Sequence, residues 1–154
     1  MATVTIKGIT RLSKRLQHIS QMENVKEAVN DATLLVHAQA KALAPVNNGT
    51  LAGSIHADVK VRTNEIVGKV YTNLNYAPYV EFGTGIKGKG TYPNKDISLA
   101  YRPTPWTYTP DGGETFYRTE GQVAQPYMYP ALKRNQAKIK RWIREAVKTD
   151  VEKG

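Results

Sequence analysis

Residues 20–71 read SQMENVKEAVNDATLLVHAQAKALAPVNNGTLAGSIHADVKVRTNEIVGKVY, and a change of period inside this stretch decides the fold. In its first half Val25, Ala28, Val29, Ala32, Leu35, Val36 and Leu43 recur at steps of three and four, the single apolar stripe of a long helix. Ser20 and Glu23 fit a capping box that would open this helix. Pro45 and the turn-forming Asn47-Asn48-Gly49 would stop it. In the second half the period falls to two. Ile55, Ala57, Val59 and Val61 alternate with polar residues, and Glu65–Tyr71 alternates again after Arg62-Thr63-Asn64. That pattern predicts a hairpin with one face buried.

Outward from this stretch, Thr3–Lys7 alternates as a short strand, and Leu12, Leu16 and Ile19 predict a short helix over about 9–19. Near the other end, Leu132, Ile139, Ile143, Ala146, Val147 and Val151 form a second helical stripe. Lys133, Lys140, Arg141, Arg144 and Lys148 lie on or near its opposite face. Between the stripes, residues 76–130 hold seven of the eight prolines and eleven of the thirteen aromatics. Trp106–Thr109 and Glu114–Tyr117 flank Pro110-Asp111-Gly112-Gly113, a credible hairpin tip. From Gly83 to Tyr101 no period holds. Long irregular stretches in small domains are usually functional or ordered by a partner. The expected fold is therefore α/β (α+β): a small, mainly antiparallel sheet flanked by the long helix of the N-terminal half and a basic C-terminal helix. Residues 1–154 form one domain in this reading, and 83–125 an extended loop and hairpin arm.

Composition excludes several classes of function. The chain has no cysteine, which removes disulfides, thiolate metal sites and thiol catalysis together. No apolar run approaches the roughly 20 residues that span a bilayer, and Met1–Lys7 lacks the apolar stretch of a secretory signal. The chain is expected to stay in the compartment where it is made, away from membranes. Its 22 basic and 13 acidic residues give +9, which favours anionic partners. Both ends carry the excess.

Candidate chemistry is thin. Gly83-Thr84-Gly85-Ile86-Lys87-Gly88 spells a dinucleotide fingerprint, but Lys89-Gly90-Thr91-Tyr92-Pro93 follows and no helix is expected there, so it reads as a flexible loop. His18, His37 and His56 lack a paired carboxylate or metal-like spacing. Glu81 is a lone acid among aromatics, which suits a salt bridge or a cap better than a glycosidase pair. Ser54 has no nucleophile-elbow context. No catalytic residue, metal site or cofactor is expected. The basic helix face has three readings: simple solvation, an acidic protein neighbour, or phosphate contact.

Three segments, in order, resemble a known family. Ala44-Pro45-Val46-Asn47-Asn48-Gly49-Thr50-Leu51-Ala52-Gly53-Ser54-Ile55 resembles its Ala-Pro-Val-Asp-Thr-Gly-x-Leu-x-x-Ser-Ile turn. Tyr76-Ala77-Pro78-Tyr79-Val80-Glu81-Phe82-Gly83-Thr84 is similar to its Tyr-Ala-x-Tyr-Val-Glu-Phe-Gly-Thr core. Gln125-Pro126-Tyr127-Met128-Tyr129-Pro130-Ala131-Leu132 is similar to its Gln-Pro-Phe-Leu-x-Pro-Ala-Leu helix start. The family is the gene-product-ten-like group of minor structural proteins of long-tailed double-stranded DNA phages, described as tail-completion, neck or head–tail joining components. Asn47, Asn48, Tyr127 and Met128 depart from its usual residues, and the first two remove a turn carboxylate.

The resemblance implies a virion protein, assembled in the bacterial cytoplasm, with no enzymatic activity. It implies a homo-oligomeric ring, six-fold, around the DNA path, meeting the neck or connector on one side and tail-terminator or tail-tube proteins on the other. Gly49 would supply a positive φ after the long helix, and Pro130 suits the first turn of the last one. Tyr76, Tyr79 and Phe82 alternate around Pro78, which belongs on an edge strand or at its start. The interface candidates are Tyr76, Tyr79, Phe82, Tyr92, Tyr101, Trp106, Tyr108, Phe116 and Tyr117, with completion of the core as the competing use of the same rings. The rival reading is a basic DNA-binding accessory protein that contacts phosphates through its last helix.

Overall fold

A computed structural model describes residues 21–46 and 49–153. The expected strand Thr3–Lys7, the helix over 9–19, His18, Ser20, Asn47 and Asn48 lie outside them. Helix α1 runs Glu23–Leu43, a short α2 Thr50–Gly53, and the strands β1 Ile55–Arg62 and β2 Glu65–Thr72 follow. Two short helices, α3 Ala77–Phe82 and α4 Gly85–Gly88, precede β3 Trp106–Tyr108, β4 Tyr117–Thr119 and β5 Gly121–Gln122, and α5 Met128–Lys153 closes the chain. The mixed helix-and-strand class is as expected. Among the described residues the strands form two sheets: β1 pairs with β2, and β3 with β4.

The described residues form two compact units. One comprises 21–35, Ala57–Val70 and 135–153, the other Val36–His56 and Tyr71–Arg134. In the first, Met22, Val25 and Ala146 are buried together, with Val29, Ile66, Val147 and Val151 packed against them. Strand β2 comes close to α1 because residue 68 is glycine: a Cβ there would lie 1.9 Å from Thr33 Oγ1. The amide nitrogens of Asn24 and Val25, orphan donors at the start of α1, both donate to the carboxylate of Asp150. Helix α1 thus opens at Glu23 on a distant cap, and Glu23 pairs with Lys26; the expected capping box rests on Ser20, outside the described residues.

In the second unit Val36, Ala40, Ala44, Leu51 and Ile55 are buried. His37 Nε2 meets the carbonyl of Ile55 at 2.9 Å. Gly49 takes φ 71°, the left-handed turn expected between Pro45 and α2. Burial fades along the hairpin, so Val61 and Val67 are exposed near its turn. One apolar assignment needs correcting: Ala131, not Leu132, enters the core at the start of α5, and Leu132 is 53% exposed.

Asp150 carries a testable consequence. Burial pushes its carboxyl up, but hydrogen bonds from the Asn24 side chain and from the amides of Val25 and Asn24 outweigh this and hold it below the usual range. A depressed folded pKa means that its stabilisation is present above the unfolded value of about 3.9 and is lost as pH falls through the folded one. Asp150→Ala should cost about 1 kcal/mol, the usual worth of an N-cap. Urea unfolding followed by circular dichroism should show this difference at neutral pH and its disappearance in acid.

Candidate assembly site

The second unit is organised around Glu81, on the last turn of α3. Its carboxylate is only 5% exposed. It accepts from the amides of Tyr127 at 2.8 Å, Met128 at 2.9 Å and Tyr129 at 3.0 Å, and from the Tyr92 hydroxyl at 3.3 Å. These amides begin α5, where unpaired N–H groups and the helix dipole favour a negative charge. The cap expected as one use of Glu81 is thus present, with its partners 46 to 48 residues along the chain. Pro130, third in α5, lacks an amide hydrogen where the helix has no partner for one.

Segment Tyr76–Phe82 is a helix with Pro78 in its first turn, not the edge strand expected from alternation. Its rings split by position. Phe82 turns inward onto Tyr92, ring centres 4.9 Å apart, and Tyr92 meets Tyr129 at 5.7 Å. Tyr92 is buried and Tyr127 is 1% exposed. Burial first and the Glu81 charge second push both phenols up, Tyr127 to about 12, so both keep their protons. Tyr76 and Tyr79 face outward, Tyr79 at 58% exposure.

The supposedly flexible glycine loop is a packed element. Thr84 bridges to Gln122 and Gly85 to Gly121, and the amide of Lys87 donates to the Glu120 carbonyl. A Cβ on Gly121, which has φ 96°, would lie 2.0 Å from the Thr84 carbonyl oxygen, and one on Gly85 2.4 Å from that of Glu120. Close backbone approach, not a phosphate, is what these glycines serve here. The one helix inside the motif, α4, is four residues long. Tyr101 donates to the Phe82 carbonyl, and the amide of Ala124 donates to the Thr91 hydroxyl. The base of the 83–125 segment is therefore self-packed, and only its distal hairpin extends as an arm would.

In that hairpin Trp106 pairs with Thr119, Thr107 with Arg118 and Tyr108 with Tyr117. Strand β4 begins three residues later than 114, because the carboxylate of Asp111 ties the Thr109 hydroxyl and the Thr115 amide into a wide tip. These hydrogen bonds hold its carboxyl well below the usual carboxylate range. Arg102 stacks on Trp106 at 5.4 Å, and Tyr108 on Tyr117 at 5.8 Å. Tyr101 and Trp106 are half-buried; Tyr108, Phe116 and Tyr117 are exposed. A groove of about 620 Å³ runs between Tyr79, Tyr101, Arg102, Trp106, Tyr108 and Gln122. The exposed Ile86, Ile97 and Val123 also belong to this unit, and sequence alone did not single them out. Each is an isolated apolar residue without a period.

On α5, Lys133, Lys140, Arg141, Arg144 and Lys148 are all exposed. Lys138 stacks on Trp142 at 4.7 Å, a cation–π contact invisible to the stripe pattern, although its four-residue spacing is a legible signal. Among the described residues no cluster of His, Asp and Glu could hold a metal ion, and no helix is long and apolar enough to cross a membrane.

Comparison with family models matches residues 7–83 to the bacteriophage HK97-gp10-like family, whose description is that of a tail component. The chain belongs to this family. The match spans half of its 154 residues. It contains the Ala44–Ile55 segment and the Tyr76–Thr84 segment up to Gly83, and stops before Gln125–Leu132. No curated protein and no solved structure matches the chain. The HK97-gp10-like core nonetheless meets the third segment in space, since Glu81 grips the amides of 127–129. This tail component should therefore lose about 3 kcal/mol or more on Glu81→Ala, which strands buried amides. Glu81→Gln, which keeps one acceptor oxygen, should lose less. Chemical denaturation and near-ultraviolet circular dichroism of the tyrosines would rank the two.

Proposed function

We propose that this phage tail component is a structural subunit of the head–tail joint, and that its copies assemble into a ring by protein–protein contacts. The observation that carries the reading is the uncovered aromatic surface of the second unit. Tyr76, Tyr79, Tyr108, Phe116 and Tyr117 are all exposed, Phe116 at 70%. Aromatic and Arg-rich surface is what protein interfaces concentrate. A two-stranded hairpin is marginal in water unless something packs on it, and among the described residues β3–β4 pairs with no third strand. Phe82 and Tyr92 support the site from within, and Tyr101 and Trp106 line its groove. The position at the joint, the neck and tail-tube neighbours, the six-fold symmetry and the enclosed DNA path follow from the resemblance of the three segments. In this reading the whole chain is one virion domain whose hairpin is the assembly arm, and it performs no catalysis.

Light scattering and negative-stain imaging of the full chain should find particles larger than a dimer. The double variant Phe116→Ser, Tyr117→Ser should raise the concentration for half-assembly at least about tenfold, the loss of two hot-spot rings, without changing the thermal midpoint. A strict monomer that never enters particles would overturn the proposal.

A second reading, a DNA-binding accessory role, is favoured by the exposed basic face of α5. It predicts duplex affinity that falls steeply with salt and weakens on charge reversal of Lys140, Arg141 and Arg144. A titration at several salt concentrations decides it: a flat response, or binding untouched by reversal, removes it.

A further inference from the structure

We infer that a second copy of this chain lays the acidic outer face of its α1 antiparallel against the basic outer face of α5. The inference rests on the ring reading and names one contact within it. On α5, Lys140, Arg144 and Lys148 stand four residues apart and exposed, with Arg141 beside them. On α1, Glu23, Glu27 and Asp31 stand at the same spacing and are also exposed. Four residues of helix rise about 6 Å, so the two rows repeat at equal intervals with opposite sign.

Both rows belong to the first unit, yet no ion pair joins them within the chain. The helices meet through other faces: Val25 and Val29 pack with Ala146, Val147 and Val151, and Asp150 caps α1. Both charged rows are nevertheless exposed, the basic one beside Val147 and Val151 and not buried with them. The outermost member of each row is already neutralised on its own helix, Glu23 by Lys26 and Lys148 by Glu152. Glu27, Asp31, Lys140, Arg141 and Arg144 have no ion pair or side-chain hydrogen bond among the described residues.

The pairing of these unpaired groups selects a direction. Run antiparallel, Glu27 faces Arg144, Asp31 faces Lys140, and the two neutralised ends face each other. Run parallel with all three steps in register, the unpaired Asp31 would face Lys148 and the unpaired Lys140 would face Glu23. Antiparallel helices also oppose their dipoles favourably. The same register brings Leu34, 51% exposed, opposite the exposed Ala137, adding apolar contact that surface ion pairs alone lack. Charge complementarity of this kind sets register and partner choice. The copy that gives its acidic row keeps its basic row for another neighbour, and its partner keeps the acidic one, a head-to-tail contact that a closing rotation turns into a ring.

The test uses two full-length variants at low ionic strength after nuclease treatment, read by light scattering. Glu27→Lys, Asp31→Lys makes both rows basic; Lys140→Glu, Arg144→Glu makes both acidic. Each alone should need at least about tenfold more chain to half-assemble, because like charges face each other. Their equimolar mixture should recover wild-type assembly, with the two chains alternating. As the chain has no native cysteine, Leu34→Cys, Ala137→Cys should form oligomer ladders under oxidation. If wild type assembles and the reversals change nothing, the row contact is wrong and the aromatic ring reading stands. Assembly that stops at two copies and is lost on reversal supports the contact and sinks the ring. A wild type that stays monomeric overturns both. Assembly that appears only with added duplex and is lost on basic-row reversal assigns α5 to phosphate contact instead.

Discussion

A single buried carboxylate joins the separate elements of the second unit. Glu81 sits at the end of a helix six residues long, far below the length at which an isolated helix persists in water. By accepting three amides at the start of α5, it fastens α3 to the first turn of a 26-residue helix. The same carboxylate receives the Tyr92 hydroxyl and so ties in the stretch after α4. Tyr127 and Tyr92 can then be buried around it, with Phe82 half-buried against Tyr92. The charge is tolerated at this depth because backbone N–H groups, aligned with the helix dipole, replace its lost water.

The first unit repeats the device. Asp150 caps α1 from near the end of α5, as Glu81 caps α5 from the end of α3. With Asp111, which receives the Thr115 amide, three of the chain's thirteen acids are thus committed to backbone amides. Among the described residues Glu81 is the only buried charged side chain; the bases remain outside. That asymmetry explains why α5 presents so basic a face. Of its three acids Asp150 is turned to α1 and Glu152 to Lys148, which leaves Glu145 as the one acid not occupied by a cap or an ion pair.

Elements whose signal is local were legible in the sequence. The stripe of α1, the β1–β2 hairpin, the positive φ at Gly49 and Pro130 in the first turn of α5 follow from period and backbone chemistry. The family motifs located the Glu81 region, and a cap was one of the two uses, with a salt bridge, that a lone acid there suggested. What failed was distance and ambiguity. Tyr76, Tyr79 and Phe82 recur every three residues, a helical step, and Pro78 is as much at home in a first helical turn as on a strand edge. Strand β4 shifted because the Asp111 side chain, not a two-residue turn, shapes the hairpin tip. The packing of Gly83–Gly88 against 120–124 involves residues some 38 apart, and no local pattern in either strand of chain announces it. Leu132 was misplaced because the face covered at the start of α5 is set by the Glu81 cap, not by the stripe farther along.

The division of aromatic residues then acquires a physical reason. Rings near the Glu81 cap have a complete wall to pack against, so Phe82, Tyr92 and Tyr127 are drawn inward. Beyond the close approach of Gly85 and Gly121, the hairpin has three paired residues per strand, and among the described residues no further strand joins it. It is still not left slack. Asp111 ties the tip, Arg102 stacks on Trp106, and Tyr108 leans on Tyr117. A segment held in shape but left uncovered loses little freedom when a neighbour finally covers it, which is how preorganisation strengthens association. On the proposed reading, that combination suits a tail component that joins other chains: a base that closes on itself and a rim shaped in advance for a neighbour.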